Sequence, residues 1–175
     1  MLHDTSRPFP VEDFADVLES NAAFAQSFVD QGLTGRAAKG LAIITCMDSR
    51  IDPLSIVGMQ AGDVKILRNA GARVTEDVLR TLVLATHLLG VERVLVMPHT
   101  DCRMASAEED AVHEAIYEAS GIDARSLEIR TSMDQLGALA SDITRIRTFP
   151  FLPADLAVAG AIYDVRTGQL TTVDL

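Results

Sequence analysis

Leu41-Ala42-Ile43-Ile44-Thr45-Cys46 is the stretch that decides the fold of this chain. It is a short apolar run rich in β-branched residues, and it reads as a buried strand, the kind found in parallel sheets covered on both faces by helices. Downstream, Val64-Lys65-Ile66-Leu67-Arg68 is a second strand, introduced by Gly62-Asp63. Thr75 caps a helix running to residue 89, with Glu76 and Asp77 in its first turn and Gly90 just past its end. Residues 91–97 form a third strand, stopped by Pro98. Ser106 with Glu109 reads as a capping box opening a helix over 106–119, and Ser132 with Gln135 as another, opening a helix to residue 147. Residues 156–165 are a strand, which 166–169 turn toward a last one at 170–173. Strands alternating with helices give an α/β fold, a mostly parallel β-sheet flanked by helices.

Upstream of the first strand, residues 11–29 carry Phe14, Val17, Leu18, Phe24 and Phe28 at helical spacing, interrupted by Asn21 and Gln26. Gln31-Gly32-Leu33-Thr34-Gly35-Arg36 follows as a polar linker. The 175 residues, 48% of them apolar, suit a single domain, with 1–35 as an N-terminal helical arm and linker and 40–175 as the α/β core.

With 25 acidic against 15 basic residues the formal net charge is −10, which excludes broad electrostatic binding to nucleic acid or to an anionic membrane. No apolar run approaches the roughly 18 to 20 residues of a membrane span. The first residues, Met1 to Thr5, lack the basic cluster and apolar core of a signal peptide, so the expected compartment is cytoplasmic. In a reducing compartment a structural disulfide is the lesser use for Cys46 and Cys102.

Ligands of α/β sheets bind beyond the carboxyl ends of the strands. Cys46 ends the first strand, and His99-Thr100-Asp101-Cys102 follows the third. Parallel neighbouring strands bring both segments to one sheet edge. Two thiolates and an imidazole suit Zn²⁺, and three protein ligands leave the fourth position that a catalytic site needs. A cysteine at a strand end can equally be a small buried hydrophobe, and a lone His-x-x-Cys arises by chance. Here both cysteines of the chain fall at strand ends, beside polar residues a core does not need. Cys46-Met47-Asp48-Ser49-Arg50 sets thiol, carboxylate and guanidinium at alternate positions. If the backbone stays extended there, Asp48 faces the metal or pairs with Arg50 in a bidentate fork; otherwise the two are a solvated loop pair. His87 and His113 read as helix-flank residues, and His3 lies at a frayed terminus. Glu108-Glu109-Asp110 complements a helix dipole, and no phosphate-binding loop occurs.

Taken in order, Cys46-x-Asp48-x-Arg50, Arg68-Asn69-Ala70-Gly71 and His99-Thr100-Asp101-Cys102 resemble the motifs of the β-class carbonic anhydrases, compact bacterial branch. The resemblance implies one Zn²⁺ per chain on Cys46, His99 and Cys102. Asp48 and Arg50 become a catalytic pair, with Asp48 a fourth ligand in a closed site, and Asn69, Ala70 and Gly71 line the substrate pocket. It implies reversible hydration of CO2 to bicarbonate and a proton, in a homodimer or dimer of dimers with the N-terminal arm packed on the partner subunit. Two other readings keep the metal: hydrolysis of carbonyl sulfide or carbon disulfide, and a non-catalytic structural zinc. Arg103 departs from the glycine that many family members place after the second cysteine. It reads either as a cation serving the site or as an ion-pair partner of Asp101, Glu108 or Glu109.

Overall fold

The computed structural model describes residues 8–175. The readings that fall on residues 1–7, His3 and the lack of a signal peptide, lie outside the described residues. The chain divides into two compact units, Met1–Leu33 and Thr34–Leu175. In the first, a 3-10 turn over Glu12–Phe14 leads into helix α1, Ala15–Ser27, which has no buried residue. Its aromatic rings associate within the unit, Phe9 with Phe14 at 5.3 Å and Phe24 with Phe28 at 5.5 Å.

In the second unit the chain runs through β1 (Leu41–Cys46), α2 (Pro53–Ile56), β2 (Val64–Asn69), α3 (Glu76–Leu88) and β3 (Arg93–Met97). It continues through α4 (Glu109–Ser120), α5 (Gln135–Arg147), β4 (Ala157–Tyr163) and β5 (Leu170–Val173). The sheet order is β2-β1-β3-β4-β5, parallel except for β5, which pairs antiparallel with β4. This is the α/β architecture expected. All six residues of β1 are buried. Among the described residues no helix is long and apolar enough to cross a membrane.

One face of the sheet, carrying Ala42, Ile44, Val94, Val96 and Val158, packs under Leu79 and Leu82 of α3 and Leu139, Ile143 and Ile146 of α5. Each such Leu or Ile contributes about 1.5–3 kcal/mol by leaving water. A Cβ at Gly160 of β4 would lie 2.8 Å from Ile143 Cδ1, so glycine is what lets α5 settle this close. On the other face Leu41, Ile43 and Met97 pack with Ile51 and with Ile56 of α2, a helix the sequence reading passed over.

Thr75 caps α3 as expected, accepting from Val78 N at 3.4 Å. Both proposed capping boxes are corrected. Ser106 Oγ turns back to the Arg103 carbonyl at 2.8 Å, and α4 begins after Glu108 with no side-chain cap. Glu109 instead accepts the backbone N–H groups of Ile129 and Arg130, at 2.7 and 3.0 Å. At α5 the cap is Asp134, which accepts from Gly137 N at 3.0 Å, while Ser132 is buried against the Met104 carbonyl.

The register explains why the chemistry gathers. Parallel pairing sets Cys46 opposite Asn69 and Thr45 opposite Met97, so the segments after β1, β2 and β3 emerge at one edge. The chain passes to β2 on one side of β1 and to β3 on the other, which opens a crevice at that edge.

Candidate metal centre

Cys46, His99 and Cys102 are all buried, and their ligating atoms lie within 4.8 Å of one another. The thiols are free, with their sulfurs 3.9 Å apart. His99 Nδ1 is 2.8 Å from the Thr100 carbonyl, which can only accept, so Nδ1 carries the proton and Nε2 presents its lone pair. That Nε2 is buried and has no hydrogen-bond partner. An orphaned buried nitrogen facing two thiols costs free energy unless something else binds it. The N and S donors suit zinc, so these residues fit the ion the sequence implies.

The electrostatics run the same way. A hydrogen bond from Cys102 holds the Cys46 thiol well below the usual thiol range against the opposing effect of burial, with His99 and the Gly71 N–H adding to it. The Cys102 thiol is correspondingly pushed up, first by its bond to Cys46 and then by burial. Burial opposes charge on His99, but the nearby Cys46 sulfur and its negative charge leave the imidazole raised.

Asp48 and Arg50 sit at the mouth. The backbone is not extended past Cys46 as the alternating pattern supposed. Asp48 Oδ1 accepts the Arg50 N–H at 2.9 Å and bends residues 48–50 into a turn. The fork itself forms: Arg50 Nε donates to Oδ1 at 2.9 Å and Nη2 to Oδ2 at 2.8 Å. The Arg50 bonds hold the Asp48 carboxyl well below the usual carboxylate range. Asp48 Oδ2 is also 3.8 Å from His99 Nε2. Asp101, which the sequence offered only as a partner for Arg103, accepts from Arg50 Nη1 at 2.9 Å. Arg103 therefore does not pair with Asp101, nor with Glu108 or Glu109. Among the described residues it forms no ion pair, and it lines the same open pocket of about 380 Å³ as Asp48, Arg50 and Cys102.

Arg68 secures the first loop, donating to the Cys46 carbonyl at 2.9 Å and the Asp48 carbonyl at 2.7 Å. Asn69 spends its amide on the turn it begins, accepting from Arg73 N at 2.8 Å and donating to the Arg73 carbonyl at 2.7 Å. Gly71, at φ 80°, donates its N–H to Cys46 Sγ at 3.4 Å, and a Cβ there would meet Met104 Cβ at 3.1 Å. Asn69 and Ala70 line a pocket with Leu127 and Ile129, separate from the one at Asp48. His113 and His87 stand apart, each with Nε2 2.9 Å from a carbonyl, of Leu127 and Phe151. Asp142 and Arg73 were not singled out in the sequence, and Gln135 only as part of a capping box, yet each is tied to a loop of the site. For Asp142 a signal existed: it falls on the buried helical stripe of Leu139, Ile143 and Ile146, where a carboxylate needs a partner.

A carbonic anhydrase family model matches residues 41–170. Beta-carbonic anhydrase 1 of Mycobacterium tuberculosis is 32% identical over 158 residues, spanning 90% of this chain and 96% of that protein. A carbon disulfide hydrolase of Acidithiobacillus thiooxidans is 29% identical over 149 residues, 73% of this chain and 74% of the other. Among solved structures, a carbonic anhydrase from Streptococcus mutans aligns with a TM-score of 0.86 at 34% identity, over 92% of this chain and 97% of that one.

Proposed function

The chain belongs to the β-class carbonic anhydrase family, a family of zinc lyases, and from that premise we propose that it catalyses the reversible hydration of CO2 to bicarbonate and a proton. One zinc per chain is held by Cys46, His99 and Cys102. The observation that carries this is the unpartnered, buried Nε2 of His99 facing two free thiols. These residues would hold the zinc, which when bound would lower the pKa of a water toward about 7 and so make hydroxide available at neutral pH.

The chain's own groups do the rest. Asp48, kept ionised by Arg50, offers its carboxylate as a hydrogen-bond acceptor beside His99 Nε2 and so orients the attacking oxygen. Arg50 holds that carboxylate in a bidentate fork and fixes its direction. Of the Asn69-Ala70-Gly71 turn, locked by the Asn69 amide, Gly71 backs the centre through its N–H on Cys46 Sγ, whereas Asn69 and Ala70 face the separate pocket beside Leu127. Asp48 engaged with Arg50 supports the catalytic reading over a purely structural zinc, because the carboxylate has a partner other than the metal.

The core, 40–175, acts with its arm, 1–35, as one domain in a cytoplasmic homodimer or dimer of dimers. Phe24 on α1, a helix with no buried residue, and Phe28 just past its end are 59% and 61% exposed, which supports an arm that packs on a partner.

Stopped-flow CO2 hydration by zinc-loaded protein is the test, with carbonyl sulfide and carbon disulfide offered to the same preparation. Rapid hydration of CO2 is expected. Hydrolysis of carbon disulfide without it would move the chain to the activity named for its Acidithiobacillus relative.

A further inference from the structure

One helix reaches the candidate metal centre twice, through residues outside the donor set. Gln135, the first residue of α5, donates from Nε2 to the His99 carbonyl at 2.9 Å. Two turns along the same helix, Asp142 accepts from Arg73 Nε at 2.7 Å and from Nη2 at 3.4 Å. Arg73 closes the turn that Asn69 opens, and Gly71 inside that turn donates to Cys46 Sγ. Arg73 Nη1 also donates to the Arg130 carbonyl at 3.2 Å, and the Arg130 N–H is held by Glu109 of α4. Both ends of the Arg73–Asp142 pair are largely buried, with side chains 17% and 7% exposed. Stability alone does not call for such a pair, since apolar residues of similar volume serve a core as well or better.

We propose that Arg73 and Asp142 are positioning residues that aim the Gly71 N–H at Cys46 Sγ and thereby set the donor strength of that sulfur toward a bound metal. Helix α5 is then the common backing of the Cys46 and His99 sides of the centre. The inference deepens the proposed zinc-dependent function and rests on its metal site. An N–H···S bond draws charge from the sulfur, so its loss makes the thiolate a stronger donor and lowers the energy of sulfur-to-metal charge transfer. Outer-shell partners of this kind change metal affinity or activity by about 10–100-fold.

The experiment is cobalt(II) substitution of the full-length protein, read by the sulfur-to-cobalt charge-transfer band and by competitive metal affinity. Asp142→Asn keeps the shape and loses the charge pairing, and the band should move to longer wavelength. The double variant Arg73→Met with Asp142→Leu removes both charges, so no unpaired ion stays buried to unfold it. It should show a larger shift in the same direction and a metal affinity changed by about 10–100-fold. Arg145→Ala breaks the other ion pair of α5, to Glu76 of α3, and should leave the band in place. An unmoved band in the double variant overturns the inference, as does an equal shift in Arg145→Ala. A wild type without the band removes the metal centre and this inference with it. A wild type with the band but without CO2 hydration overturns the proposed reaction only, and the band shift in the variants then still decides the positioning role.

Discussion

Two aspartate–arginine pairs flank the same candidate centre, and they differ in almost every physical respect. Asp48 and Arg50 meet at the mouth, two residues apart in sequence, with the Arg50 side chain 43% exposed and shared with a second carboxylate, Asp101. Arg73 and Asp142 come from a loop and a distant helix, and among the described residues have no competing ion. Water can replace either member of the first pair as a partner of the other, and Asp101 can stand in for Asp48 on Arg50, so Asp48 can change its bonding at little cost. Neither can replace a member of the second, where losing one partner strands a charge. Proximity to the metal ligands therefore does not make two ion pairs equivalent: the exposed one is suited to chemistry and the buried one to holding geometry.

The sharpest way to break this contrast is to remove the carboxylate at the mouth. Asp48→Ala should keep zinc, measured by elemental analysis, and lose CO2 hydration on the order of 10³-fold, within the usual range for a proton-handling group. Its melting temperature should hardly move, because Arg50 keeps Asp101 and water as partners. Wild-type turnover in that variant would make Asp48 a surface acid and erase the contrast from one side.

From the other side, Asp142→Ala leaves the Arg73 guanidinium buried without its counter-ion. The expected loss is about 3 kcal/mol or more, read as a melting temperature lower by about 10 °C. Arg50→Ala, cutting two ion pairs at the mouth, should lower melting far less. Equal losses in the two variants, by calorimetry, would show that burial does not separate them.

The sequence exposed one of these pairs and hid the other for the same reason. Cys46-x-Asp48-x-Arg50 is local, so spacing brought its chemistry into view, although the turn that Asp48 makes with the Arg50 N–H replaced the extended backbone it was read on. The strands were legible because β1, with every residue buried, needs helices on both sides. The caps were not. In Ser132-Met133-Asp134-Gln135 two side chains compete for one helix end, and the carboxylate nearer the first turn takes it. Glu109 leaves its own helix terminus for backbone donors 20 and 21 residues away. Arg103 was given Asp101 as a partner by adjacency, whereas the fold delivers Arg50 to that carboxylate from 51 residues away. Asp101 itself sits at φ 57°, a backbone turn that aims its side chain away from its sequence neighbours.

The smallest expected effect tests the sharing of Arg50. Asp101→Asn keeps the backbone, since asparagine tolerates the left-handed conformation that Asp101 adopts. It also keeps the Arg50 Nη2 bond to the residue 101 carbonyl, 3.0 Å long, and removes only the charge that Arg50 Nη1 contacts. That charge is fully present at neutral pH, because the Arg50 bond holds the Asp101 carboxyl below the usual carboxylate range. Without it Arg50 has Asp48 as its sole carboxylate and holds it more firmly away from the fourth metal position. One negative charge fewer at the mouth also favours ionisation of a metal-held water. Both consequences have the same sign: the midpoint of the pH–activity profile for CO2 hydration should fall, by less than about one unit given the exposure of the group. The shift should shrink as salt is raised, because the Debye length drops from about 10 Å at 0.1 M to about 3 Å at 1 M. Melting should stay within about 2 °C of wild type. A midpoint that rises instead, or one indifferent to salt, would mean that Asp101 supports Arg50 rather than competing for it, and the pair at the mouth would then be as fixed as the buried pair.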